Sequence, residues 1–108
     1  MPVDEFLSNL EHKQREKVFR SIDLLENYGS KLHYPEVDAI RGHKYKGLFE
    51  LRTKFATDIF RVFYFVDNFD AVLLHGLVKK QDKTPIKDLD IALSRMIDYK
   101  WRQDNELE

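Results

Sequence analysis

From Asp4 to Tyr28 the chain has neither proline nor glycine, and Val18, Phe19, Ile22 and Leu25 recur at three- and four-residue intervals. That spacing is the period of an amphipathic helix. Phe6, Leu7 and Leu10 form an earlier apolar cluster, and Ser8-Asn9 between them is a candidate cap for a second helix, so the pattern predicts two helices. Gly29 is the expected stop, because it tolerates the left-handed conformation common just past a last turn. Residues 30–47 read as a connection, punctuated by Pro35, Gly42 and Gly47.

The period then changes from 3.6 to 2. In the stretch from Leu48 to Phe55, Phe49, Leu51 and Phe55 fall on one face and Glu50, Arg52 and Lys54 on the other, the alternation of a half-buried strand. Ile59 to Val66 (IFRVFYFV) is β-branched and aromatic on both faces, as in a central strand. The tetrapeptide Asp67-Asn68-Phe69-Asp70 supplies turn chemistry, and Ala71 to Lys79 reads as a further strand. After it, Thr84 suits an N-cap, Pro85 a first helical position, and Asp88 the positive end of a helix dipole. Ile86, Leu89, Leu93, Met96 and Ile97 make that helix's apolar stripe, and Gln103 to Glu108 are expected to fray. The expected fold is therefore α+β: two N-terminal helices, an antiparallel sheet of three or slightly more strands, and a C-terminal helix, with the helices on one sheet face and residues 1–108 as a single domain.

Charge changes this picture only when it is divided along the chain. There are 18 Lys and Arg against 19 Asp and Glu, a formal net charge of −1. Residues 1–40 sum to −3, residues 41–87 to +5 and residues 88–108 to −3. Overall neutrality is thus a cancellation, and the basic middle, which contains the strands, is free to face a polyanion. With no cysteine, disulfides and Cys-ligated zinc are excluded. No apolar run approaches the roughly 20 residues that span a bilayer, and the acidic opening lacks a signal peptide's basic and apolar regions, so a cytoplasmic location without membrane contact is expected.

Candidate chemistry is sparse. His12, His33, His43 and His75 show no metal-ligand spacing, and no GxGxxG, Walker or GxSxG pattern occurs, so neither a metal nor another cofactor is expected. What stands out is cations on strands: Arg52, Lys54, Arg61, Lys79 and Lys80. Arg61 lies among Ile59, Phe63 and Phe65, where an unpaired charge is costly. An ion pair with Glu50 or Asp58 and a contact to phosphate both answer that requirement. Arg52 fits a solvated strand face as well as a binding role, and Lys79 with Lys80 fit protection of a strand end. His75, flanked by Leu73 and Leu77 on its face, is either a half-buried packing residue or an acid-base group. The aromatic side chains are mostly core.

The segments LFELR (48–52), IFRVFYFVD (59–67) and LLHGLVKKQDKTP (73–85), in this order and followed by a helix, resemble the HigB-type branch of the RelE/ParE toxin superfamily, often described as phage-derived. The resemblance spans residues 46–100. It implies a RelE-like fold and a toxin of a type II toxin-antitoxin pair, an mRNA interferase that cuts messenger RNA on the ribosome and is neutralised by a HigA-like helix-turn-helix antitoxin. By the same resemblance Arg52 and Arg61 match two strand arginines and Lys79 with Lys80 the basic strand end, with His75 a further catalytic candidate; Arg41, Lys44, Lys46, Lys54 and Lys83 are the expected RNA contacts. Cleavage without a metal would use the neighbouring 2′-OH as nucleophile, requiring proton transfer and positive charge at the phosphorane. Relatives of this kind begin with a strand before the first helix; here PVDEFL looks like the point just after that strand, so the start is either truncated or lacks it, and in both cases an uncovered sheet edge is expected for a partner. Two other readings remain open: a ParE-like inhibitor of DNA gyrase, and a degenerate domain that only binds a repressor.

Overall fold

The computed structural model describes residues 2–32, 36–79 and 85–106. Two helices, α1 (Pro2–Ser8) and α2 (His12–Tyr28), precede four strands, β1 (Val37–Ala39), β2 (Phe49–Phe55), β3 (Asp58–Asp67) and β4 (Asp70–Lys79), and a long helix, α3 (Ile86–Glu106), ends the described chain. The strands form one antiparallel sheet in the order β1-β2-β3-β4.

The predicted helix pair is present, and its break is held by one side chain. The Arg15 guanidinium donates from Nε to the Leu7 carbonyl at 2.9 Å and from Nη2 to the carbonyls of Ser8 and Leu10 at 3.2 and 2.9 Å, which satisfies acceptors left open where α1 ends. Capping falls to Glu11 rather than Ser8 or Asn9: its backbone N–H donates to Oε1 of Gln14 at 3.1 Å. Gly29 departs from expectation. It stays right-handed at φ −51° and leads into a 3-10 turn over Gly29–Lys31. The expected connection over 30–47 also contains structure, because Val37 to Ala39 add a short strand to β2 and His43–Tyr45 form a second 3-10 turn. Gly42 and Gly47, at φ 107° and 94°, take backbone conformations that favour glycine.

Apolar residues on both sides of β3 require cover on both faces. Contrary to the expected one-sided packing, α1 and α2 lie on one face and α3 on the other. Val3, Leu7, Val18 and Leu25 pack with Leu51, Phe60, Val62 and Tyr64 in the first layer. Leu48, Phe63, Phe65, Leu74 and Leu77 pack with Leu89, Ala92 and Met96 in the second. The predicted stripe of α3 is accordingly narrower, since Ile86 and Ile97 are exposed and Ala92 takes a core position. Pro85 precedes the first helical residue and accepts from the backbone N–H of Asp88 and Leu89; the proposed cap Thr84 lies outside the described residues. Gln103 to Glu106, expected to fray, continue the helix.

One irregularity sets the side-chain phase of β4. Phe63 pairs with His75 but Tyr64 pairs with Leu73, so Leu74 is an extra residue. Such a bulge lets two successive side chains leave on one side. Leu73 therefore joins the α1/α2 layer, while Leu74, His75 and Leu77 face α3. The expected grouping of Leu73, His75 and Leu77 on one face is thereby corrected.

Gly76, opposite Val62, is where α1 docks, and a Cβ there would overlap the Phe6 ring. Gly76→Ala is expected to lower unfolding free energy by about 1–3 kcal/mol, the usual range for overpacking. Urea denaturation checks this, and pairing it with Phe6→Leu should return part of the loss.

Candidate functional site

On the α3 side, the register lines up three rows across β2, β3 and β4: Glu50, Phe63 and His75; Arg52, Arg61 and Leu77; Lys54, Ile59 and Lys79. Arg52 and Arg61 are direct cross-strand partners. Like charges so placed repel, since such neighbours stand about 5 Å apart. Glu50 resolves the conflict. Its Oε1 lies 2.8 Å from Nη1 of Arg61 and 3.2 Å from Nε of Arg52. Arg61 is 1 % exposed and Glu50 4 %. Of the two roles weighed for Arg61 the ion pair with Glu50 is the one formed, and the supposed polar face of β2 is buried at Glu50 and half-buried at Arg52.

In the adjoining row His75 is held from both ring nitrogens. Nε2 lies 2.8 Å from Oδ1 of Asp88, and Nδ1 lies 3.2 Å from Nη1 of Arg95, which also donates to the Leu74 carbonyl at 2.8 Å. A guanidinium can only donate, so Nδ1 is the acceptor and Nε2 carries the proton donated to Asp88. The imidazole lies nearly parallel to the Phe63 ring, with centroids 6.3 Å apart. Asp88 and Arg95 were not foreseen as site residues. They are seven positions apart, two turns along α3, and flank the stripe of Leu89, Ala92 and Met96, which is the one sequence signal that could have placed them on the sheet side.

A third cluster ties the loop before β2 to α3. The Tyr45 hydroxyl donates to Oδ1 of Asp90 at 2.7 Å, and Nζ of Lys44 lies 3.0 Å from the same oxygen. The hydrogen bond from Tyr45, then that from Lys44, hold the Asp90 carboxyl below its ordinary range, while the bonds to Asp90 raise both Tyr45 and Lys44.

The structure thus gathers Arg52, Arg61, His75 and Lys79 on one sheet face with Lys54 in the outer row. Arg41, Lys44 and Lys46 are exposed on the loop leading into β2, with Lys44 engaged by Asp90. Lys80 and Lys83 lie outside the described residues, as does His33. Among the described residues no group of three or more His, Asp or Glu is placed to hold a metal ion, and no helix is long and apolar enough to cross a membrane.

An antiparallel sheet covered by an N-terminal helix pair and a C-terminal helix, with cations in register on the C-terminal helix's side, defines a small α+β protein. The family of the chain is that of the phage derived protein Gp49-like (DUF891), whose family model matches residues 5–97; the chain belongs to it. No curated protein and no solved structure matches the chain.

Two outcomes follow from these clusters. Glu50→Gln should cost about 3–5 kcal/mol, because it strands a buried, paired charge cluster, and Arg61→Met should cost less, since Arg52 keeps Glu50 paired; chemical denaturation of both variants gives the order. Nitrogen-15 NMR of the imidazole should find a neutral His75 as the Nε2–H tautomer, and Arg95→Leu should keep that tautomer, because the Asp88 carboxylate still accepts from Nε2–H.

Proposed function

We propose that the protein is the toxin of a type II toxin-antitoxin module, a HigB-like member of the RelE/ParE superfamily that cleaves messenger RNA on the ribosome in the cytoplasm. The observation that carries this reading is the registered basic face of β2 to β4, on a chain of the Gp49-like family with the α+β layout that the resemblance implies. In the proposed reaction the 2′-OH attacks the adjacent phosphorus, the bond to the 5′ oxygen breaks, and the products are a 2′,3′-cyclic phosphate and a 5′-OH. Charge builds on the non-bridging oxygens at the phosphorane, where Arg52, Lys79 and Lys80 would stabilise it. Arg61 is a positioning residue in this scheme: it sets the Glu50 carboxylate that orients Arg52. Lys54 with Arg41, Lys44, Lys46 and Lys83 would hold flanking phosphates. A helix-turn-helix antitoxin would be the neutralising partner.

A second reading, a domain that binds a partner without chemistry of its own, draws on one observation: both nitrogens of His75 are engaged, and Glu50 engages both Arg52 and Arg61. Induced expression separates the two. The toxin reading expects growth arrest, with new 5′-OH ends mapped inside translated messages, and about 10²-fold less cleavage for Arg52→Ala with the fold intact. Undisturbed translation alongside abundant, folded protein leaves the binding reading in its place.

A further inference from the structure

The β3–β4 hairpin turns through Asn68 and Phe69, with Asn68 left-handed at φ 58°. Phe69 is 100 % exposed at this tip, and Val66 and Tyr28 nearby are more than half exposed. A phenylalanine so placed gains nothing from its own fold, although burying one stabilises by roughly 1.5–3 kcal/mol. Beneath it a groove of about 910 Å³ runs between the end of α2 and the hairpin, floored by Leu25, Tyr64 and Ala71 and walled by Val66 and Phe69. The Tyr64 ring stacks on Phe49 with centroids 5.6 Å apart, so the floor is braced by the sheet. Glu26 and Asp70 supply the charge in the lining, which among the described residues includes no Lys or Arg although the chain has 18 of them.

We infer that this groove docks a basic amphipathic helix of a partner protein, its apolar side chains against Tyr64, Val66 and Phe69 and its Lys or Arg against Glu26 and Asp70. Laying one apolar helix face into such a groove is a recurring recognition mode, and the charge at the rim selects the partner's sign. A second copy fits poorly: a two-fold contact would bring Glu26 and Asp70 of one chain towards the same carboxylates of the other. The groove opens on the α1/α2 side of the sheet, whereas Arg52, Lys79 and His75 face α3. Docking therefore takes place on the other side of the sheet from those residues, and the inference stands apart from the ribonuclease reading.

The test uses the full-length, nitrogen-15-labelled protein and a designed peptide of about four helical turns, with Leu on one face and Lys on the other. A twin with Glu in place of Lys is the control. Expected are saturable amide shifts at Gly29, Val66, Asn68 and Ala71, at least tenfold weaker binding for the Phe69→Ser/Asp70→Asn variant, and no binding of the Glu twin. Phe69 makes no contribution to the core, so the variant should keep its spectrum elsewhere. Absence of shifts, shifts on another surface, or equal affinity for variant and wild type would overturn the inference. So would sedimentation showing that the chain dimerises through Phe69.

Discussion

One carboxylate holds two guanidinium groups that the strand register forces to face each other. Glu50 reaches Arg61 directly across β2 and β3 and Arg52 along its own strand, inside a layer otherwise built from Phe63, Leu77 and Leu48. The arrangement exists in one pairing only. A slip of one residue would move all three charges into the layer of Val62, Phe60 and Leu51, where α2 offers little besides the Ser21 hydroxyl that accepts from Thr53 at 2.7 Å. Hydrophobic burial drives the strands together, and the ion cluster dictates how they align.

The same constraint explains the two-sided cover. A sheet with a buried charge cluster on one face cannot leave that face to water without losing the low dielectric that strengthens the pairs. α3 closes the inner rows, leaving Lys54 exposed and Arg52 and Lys79 partly exposed; it is anchored near its start by Asp88 on His75 and Asp90 on Tyr45, near its middle by Arg95 on His75, and further along by the Tyr99 hydroxyl, which donates to Asp67 at 3.2 Å. On the opposite face the Thr53–Ser21 hydrogen bond is accompanied by mainly apolar helix-to-sheet packing, with Phe6 lying directly on the Gly76 backbone. The sheet thus separates two environments: one with charges in register, one greasy and ending in an acidic groove.

Much of this was legible along the chain. The alternation around Leu51 and the doubly apolar run through Phe63 fixed strand identity, and the need of Arg61 for a partner named Glu50 as one answer. What escaped depended on geometry that no local pattern encodes. Leu73, His75 and Leu77 alternate as an unbroken strand would, and only the pairing with β3 reveals the extra residue at Leu74. β1 is three residues long and borrows its order from β2, with the Arg52 N–H donating to the Glu36 carbonyl at 2.8 Å just beyond it. Asp88 and Arg95 reach His75 across a sequence gap whose path includes residues 80–84, so the triad becomes visible only once α3 is laid on the sheet.

The doubly apolar β3 has a consequence for how the chain is made. From Ile59 to Phe65 seven consecutive residues are buried, and half of their cover is α3, which is synthesised after all the strands. Until that helix emerges, a nascent chain shows a flat, β-prone surface together with an unscreened cluster of charges, the kind of surface that invites pairing with other chains. Completion of this fold is therefore tied to the emergence of α3, and the hairpins, however early they form, wait for that helix before they are safe from one another.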